Sequence, residues 1–523
     1  MKPVSLFEIL ALVACAHAAD SVVGLGFTVR RTSLDESVAN YRHHAKRSSS
    51  GTIQAPLVNQ VVEYSLDIQL GTPGQTQKVM IDTGSSDLWV MEASNPYCLG
   101  NKAKHITSQQ INCTGISTFN QKQSRSFVAN STDFSITYGD TTFANGTFAQ
   151  DNLLLGNTTV QMINFAVATL SNSTVPVFGV GPKYGQSTVN SATPDGVPYP
   201  TYVSILESMV GQGLIQSAAF SLWLNDINAE SGNILFGGVD AAKYTGDLVS
   251  MPIIVTPPSL AQLGATLAEP MANFVQMSGL SVTIANQTTP VASGGFPVYL
   301  DSGTSLAVLP TEWLDAIGTA LGAFFSDETQ LYLLDCDTNP YDTLSFGLAG
   351  NNFPVALEEM LFPVIDNSGN AVVDNNGAAI CALGILDGGS YNIDATYILG
   401  DTFLRGAYVV YDYDSTEIAV AVANPNATES SIVPISSGIP GATTASSYDV
   451  TTFVEDFSTI MNLASGATYA NITSDILPTD GIQGILSPGA LLSTPGSGSF
   501  SENRAIGTGV IAGIGFYLLN MLL

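Results

Sequence analysis

Histidine is almost missing from this chain of 523 residues. It has four, and His17, His43 and His44 fall before residue 45, leaving His105 alone in the rest. A serine or cysteine hydrolase of the usual kind needs an imidazole to take the nucleophile's proton, and an open zinc site usually wants two or three. Both classes are disfavoured, no metal or other cofactor is expected, and any acid and base work falls to carboxylates. Basic residues are scarce too, 15 against 44 acidic, for a net charge of −29. Such a chain repels phosphate backbones, so nucleic acid is not an expected partner. With an isoelectric point near 4.1 it approaches neutrality only in acid, which favours work in acid surroundings. Charged residues of either sign make up 11% of the chain, beside 49 Gly and 25 Pro. That balance describes a β-rich, turn-rich secreted protein, long enough for two lobes with large cores.

The ends carry their own signals. Lys2, an apolar stretch over residues 6–15 and Ala16-His17-Ala18 predict a secretion signal over 1–18, cut after Ala18. Residues 19–47 gather Arg30, Arg31, Arg42, Lys46 and Arg47, and end in a dibasic pair ahead of Ser48-Ser49-Ser50-Gly51. They predict a propeptide removed by a dibasic-specific, kexin-like protease at Lys46-Arg47, its cations suited to an acidic cleft. With Cys15 lost alongside the signal, Cys98, Cys113, Cys336 and Cys381 remain, an even number for an oxidising compartment. Three connectivities are open; the one that keeps each bridge inside one lobe is Cys98–Cys113 and Cys336–Cys381. Glycosylation acceptors stand at Asn112, Asn130, Asn145, Asn157, Asn172, Asn286, Asn426 and Asn471.

Between residues 61 and 424 short alternating strands are separated by Gly, Pro, Asn and Ser turns. Residues 64–70 alternate and break at Gly71-Thr72-Pro73; Phe134 to Asp140 runs to a turn and returns through Gly146-Thr147-Phe148 as a hairpin. Helices are expected over 202–210 and 312–321. The expected lobes are 48–240 and 241–425. Residues 426–497, rich in Ser, Thr, Gly, Pro and Ala, then read as a stalk. Gly496, Ser497, Gly498 and Ser499 precede a polar spacer and an apolar tail that ends at Leu523. That order predicts exchange of 498–523 for a GPI anchor at one of those four residues, and so attachment to a membrane; a retained membrane helix is the alternative.

One stretch repeats. Lys78-Val79-Met80-Ile81 leads into Asp82-Thr83-Gly84-Ser85, and Val298-Tyr299-Leu300 leads into Asp301-Ser302-Gly303-Thr304. Each is an apolar run, an Asp, a hydroxyl residue, a Gly and another hydroxyl. Glycine permits the turn, and small hydroxyls can hydrogen-bond a carboxylate. Two copies point to a duplicated lobe that brings the aspartates face to face. Two such carboxyls in a desolvated cleft cannot both ionise, because the second charge would sit beside the first, so they share one proton.

These motifs resemble those of the pepsin-family aspartic proteases. The resemblance implies an all-β, bilobal fold with few short helices and a cleft between the lobes. It implies acid-optimal hydrolysis of peptide bonds in protein substrates, by a monomer. Asp82 and Asp301 match the catalytic pair, Thr83 and Ser302 the hydroxyls that link the lobes beneath it, and Ser85 and Thr304 the groups bonded to the outer carboxylate oxygens. Tyr138 matches the tyrosine of the substrate-covering flap, with Gly139 and Asp140 after it and Trp89 as its hydrogen-bond partner. Val177-Phe178-Gly179 and Ile398-Leu399-Gly400 resemble the segments that cross behind the catalytic loops. The leader, stalk and tail resemble the fungal yapsin subgroup, whose members tend to cut after basic residues; Asp140, and less directly Asp87, would pair with a substrate Lys or Arg. A two-carboxylate glycosidase is a competing enzyme class, but its acids do not normally sit in matched turns. A pepsin-like binding protein that has lost catalysis is the other alternative, and the intact motifs weigh against it.

Overall fold

The computed structural model describes residues 22–30, 63–98, 110–138, 142–190, 201–229, 231–255, 267–326, 331–364, 370–374, 376–388 and 397–446. Strands dominate, and they fall into two lobes joined by a shared sheet. In the first lobe Glu63–Leu70 turns through Gly71-Thr72-Pro73 into Gln75–Asp82, antiparallel from Ser65 opposite Met80 to Leu70 opposite Gln75. The expected hairpin is present as Val128–Thr137 against Phe143–Leu155. The second lobe is built on the Phe274–Ile284 and Gln287–Leu300 hairpin, with Thr343–Leu348 and Asn351–Ala356 alongside. Between the lobes lie Ala219–Trp223, Ser231–Phe236, Ala407–Asp412 and Glu417–Ala423, continuous with the first lobe's sheet. Unbroken apolar runs put these strands inside: Ile81, Phe178, Phe236, Val298 and Leu300 are fully buried, each worth about 2–3 kcal/mol of apolar transfer.

Two helices match the predicted stretches. Ile205–Gly211 opens on a capping box in which Ser204 and Glu207 satisfy each other's backbone amides. Thr311–Leu321 ends at Gly322, which takes a left-handed φ of 65°. The four-residue helix Asp401–Leu404 is too short to leave any periodicity in the sequence. Both expected disulfides are closed, each within one lobe, with Cα separations of 5.3 Å for Cys98–Cys113 and 5.0 Å for Cys336–Cys381.

The ordered body reaches past the lobe limits of 48 and 425 at both ends. Val23–Arg30, inside the expected propeptide, is a strand lying between Ser231–Phe236 and Glu63–Leu70. At the other end, Ile432–Pro434 pairs with Gly238–Asp240, and Ala442–Thr444 runs parallel to Leu248–Ser250. Ile435, Ile439 and Ala445 are buried there, so the packed body continues well into the stretch whose composition suggested a stalk. Residues 447–523, with Asn471 and the four anchor candidates, lie outside the described residues, as does the Lys46-Arg47 site. Among the described residues no helix is long and apolar enough to cross a membrane.

Candidate active site

Asp82 and Asp301 occupy equivalent places in the two lobes. Each ends or follows a buried strand, and a second strand crosses behind it. In the first lobe Val177–Gly179 lies parallel to Gln75–Asp82 and antiparallel to Leu88–Glu92. In the second, Tyr397–Leu399 lies parallel to Gln287–Leu300 and antiparallel to Ala307–Leu309. The chain can cross so closely because the crossing residue has no side chain. A Cβ on Gly179 would stand 2.6 Å from Asp87 N, and one on Gly400 would overlap the Thr304 carbonyl. A backbone bond pins each loop at the hydroxyl residue three after its Asp: Gly181 N to Ser85 O at 2.8 Å, and Asp401 N to Thr304 O at 2.9 Å.

The loops meet with their glycines facing the opposite carboxyl. A Cβ on Gly84 would overlap the Asp301 carboxyl, and one on Gly303 would overlap that of Asp82. The Oδ1 atoms of the two carboxyls converge on one point: a Cβ on Gly303 would overlap that of Asp82 and stand 3.1 Å from that of Asp301. Asp82 is 4% exposed and Asp301 8%. Asp82 Oδ1 accepts from Gly84 N at 2.7 Å and Ser85 N at 3.2 Å, while Oδ2 accepts from Ser85 Oγ at 2.5 Å. Asp301 Oδ1 accepts from Gly303 N at 2.8 Å and Oδ2 from Thr304 Oγ1 at 2.5 Å. Burial pushes both carboxyls above the usual range. Asp301 is raised further by the Asp82 charge, whereas the donors around Asp82 pull against its desolvation. Asp82 accepts three hydrogen bonds from its own loop and Asp301 two, which makes Asp82 the better seat for the single charge of the pair and leaves the shared proton on Asp301.

Beneath the pair the lobes interlock. Thr83 N donates to Ser302 Oγ (3.1 Å), and Ser302 N to Thr83 Oγ1 (2.9 Å). Each hydroxyl in turn donates to a carbonyl of the other lobe, Thr83 Oγ1 to Leu300 O and Ser302 Oγ to Ile81 O, both at 3.0 Å. All of this is buried. Thr83→Val and Ser302→Ala should each cost about 2 kcal/mol, because two buried backbone groups lose their partner in each case; urea unfolding of the single variants measures it. Above the pair, the fully buried Trp89 donates from Nε1 to Tyr138 Oη at 2.7 Å.

A family model, the eukaryotic aspartyl protease, matches residues 63–423, the span that holds both loops and the flap-type hairpin. This chain belongs to that family. The protease is 34% identical over 459 residues to the aspartic proteinase MKC7 of Saccharomyces cerevisiae, covering 78% of this chain and 73% of that protein. It is 31% identical to the probable aspartic-type endopeptidase opsB of Aspergillus oryzae, over 96% and 95% of the two chains. Its identity to the aspartic proteinase yapsin-3 of Saccharomyces cerevisiae is 32%, over 83% and 79%. The crystal structure of an aspartic proteinase from Irpex lacteus shares the fold at a TM-score of 0.53 and 22% identity, with 71% of this chain and 98% of that one aligned. The protease is an aspartic-type endopeptidase with the mainly β, bilobal architecture of that family.

Asp87 does not sit where a substrate side chain could meet it. It is fully buried, and its oxygens accept from Tyr202 Oη at 2.6 Å and Ser187 N at 2.8 Å. Gly139 and Asp140 lie outside the described residues; the hairpin closes across them through Tyr138 N to Thr142 O at 2.8 Å. Of the glycosylation acceptors, Asn130, Asn157, Asn286 and Asn426 are exposed and Asn112, Asn145 and Asn172 half-buried. Two residues of the protease's site escaped the sequence reading: Asn273, whose Nδ2 donates to Thr83 O at 2.8 Å, and Tyr299, whose Oη donates to Gly84 O at 2.5 Å. Tyr299 carried a readable sign, since a residue two positions before Asp301 on a strand shares its face. Asn273 carried none.

Proposed function

We propose that Asp82 and Asp301 are the catalytic residues and hydrolyse peptide bonds without a covalent intermediate or a metal. The ionised Asp82 takes a proton from a water lying between the carboxyls as that water attacks the peptide carbonyl. Asp301 hydrogen-bonds the carbonyl oxygen with the shared proton and so stabilises the charge that develops there. Ser85 and Thr304 hold the outer oxygens in place, and Tyr138, braced by Trp89, covers the substrate. The observation that carries this reading is the reciprocal approach of the two loops, each glycine set over the other lobe's carboxyl.

The finer reading is a secreted, glycosylated enzyme of the cell surface, released from its propeptide at Lys46-Arg47 and GPI-anchored at one of Gly496, Ser497, Gly498 or Ser499, as a monomer. The order of leader, catalytic body, Ser/Thr-rich segment and apolar tail supports it, as does the likeness to a yapsin. Four exposed acceptor asparagines support glycosylation. A preference for cutting after Lys and Arg, with Asp140 as the partner of the basic side chain, belongs to the same reading. Digestion of a peptide library at acid pH tests it. The mature enzyme should cut after basic residues and be blocked by a pepstatin-type inhibitor, Asp140→Ala should lose that preference selectively, and Asp82→Asn should not cut. Equal loss by Asp140→Ala on apolar substrates would remove Asp140 from the account.

A further inference from the structure

Both peptide groups that donate to Asp82 Oδ1 are gripped at their carbonyl ends by the opposite lobe. Gly84 N belongs to the peptide whose carbonyl is that of Thr83, and this carbonyl accepts from Asn273 Nδ2 at 2.8 Å. Ser85 N belongs to the peptide whose carbonyl is that of Gly84, and this one accepts from Tyr299 Oη at 2.5 Å. A hydrogen bond accepted at C=O polarises the amide and strengthens donation from its N–H, by about 10–30% per bond. Water does not compete, because Asn273 is fully buried and Tyr299 is 4% exposed. Both are well seated. Leu300 N donates to Asn273 O at 3.1 Å, and the Tyr299 ring lies against Phe274 with centroids 5.3 Å apart. The arrangement is one-sided: Gly303 N donates to Asp301 Oδ1, but among the described residues no side chain donates to the Ser302 carbonyl behind it.

We infer that Asn273 and Tyr299 are positioning residues of the catalytic pair, which polarise the two amides facing Asp82 and thereby favour its ionised form, leaving the shared proton on Asp301. This rests on the assignment of the pair proposed above. The other titratable groups around the site are Asp301 across from Asp82, Tyr411 beside Thr83, Tyr413 beside Asn273, and Asp401, whose charge acts on Tyr411. Burial pushes both phenols well up, so they stay protonated wherever the enzyme works. Asp87, on the same loop as Asp82, is turned onto Tyr202 and Ser187.

The test is the pH dependence of kcat/KM on a peptide without titrating groups in the range, where the loss of activity on the acid side reports protonation of Asp82 in the free enzyme. Tyr299→Phe removes one hydroxyl and keeps the ring; its acid limb should move up by about half a pH unit, with the alkaline limb moving less. Asn273→Leu should move the acid limb the same way. Placing 3-fluorotyrosine at position 299, a stronger donor of nearly the same shape, should move it down, and this arm remains decisive if a deletion variant fails to fold. A lower unfolding midpoint with an unmoved limb would make the two residues structural only, and an unmoved limb in the Tyr299→Phe and fluorotyrosine proteins overturns the inference. Asp82→Asn separates the layers. Full activity there would remove the assignment of the pair, whereas an inactive Asp82→Asn beside an unmoved limb removes only the role of Asn273 and Tyr299.

Discussion

Asp82→Asn and Asp301→Asn should each lower kcat by about four orders of magnitude, the upper range for loss of a positioned acid or base in a site that also stabilises charge. KM should change by no more than a few-fold, and the fold should survive. At position 82 an amide oxygen can still accept from Gly84 N and Ser85 N, the donors to Oδ1 in the protein, and the amide nitrogen can donate to the Ser85 hydroxyl. At position 301 the same holds for Gly303 N and the Thr304 hydroxyl. Stability should hold or rise, because both carboxyls are kept above their ordinary range by burial and an amide escapes that penalty. The two variants fail for different reasons: with Asn at 82 nothing takes the water's proton, and with Asn at 301 nothing delivers one to the carbonyl oxygen. Steady-state kinetics and thermal unfolding of both variants test this. A variant that keeps a few per cent of the activity with unchanged stability would show that the two carboxyls do not act as one unit.

The chemistry-bearing loops were readable in the sequence because the reaction demands local spacing: Asp, hydroxyl and Gly must be neighbours for one turn to hold its own carboxylate. The disulfides followed from keeping each bridge inside a lobe, and the two expected helices are present. What escaped were partnerships between distant residues. Nothing near Asp87 says that it is enclosed by Tyr202 and Ser187, so its charge read as available to substrate. The pairing of Arg405 with Glu359 spans 46 residues. Composition gave no sign of the strands at either end of the body. Arg30 and Arg31 coloured a stretch whose Val23–Arg30 strand sits inside the sheet, and the Ser and Thr content after residue 430 hid the short strands Ile432–Pro434 and Ala442–Thr444 and, between them, the buried Ile435 and Ile439.

Raising the pH from acid to neutral should destabilise the fold, and Glu359 should account for a measurable part of the loss. Glu359 is buried on the short helical turn Leu357–Met360, which packs against Asp401–Leu404. Its Oε2 accepts from Arg405 Nε at 2.9 Å and from Ile227 N at 2.9 Å. Even so, burial outweighs the Arg405 guanidinium and pushes its carboxyl from 4.5 up to about 7. A carboxyl whose folded value lies above its unfolded one stabilises the fold fully below the unfolded value and loses that contribution as the pH climbs through the folded value. For Glu359 the window runs from about 4.5 to 7, worth about 3 kcal/mol at 1.36 kcal/mol per pH unit. Asp82, Asp87 and Asp301 are raised by burial and act in the same direction, as does repulsion within a chain of net charge −29. Asp374 is lowered by turn N–H groups and acts oppositely, but only below its ordinary value of 3.8, outside the Glu359 window. Glu359→Gln isolates one contribution, because its amide oxygen can still accept from Arg405 and Ile227 while the titration is gone. In urea unfolding between pH 4 and 8, the variant should lose less stability than the parent across the Glu359 window, and the two should differ little at the acid end. A parent protein that gains stability toward neutral pH, or a variant that falls just as steeply, would mean that Glu359 is already ionised in acid and that Arg405 outweighs its burial.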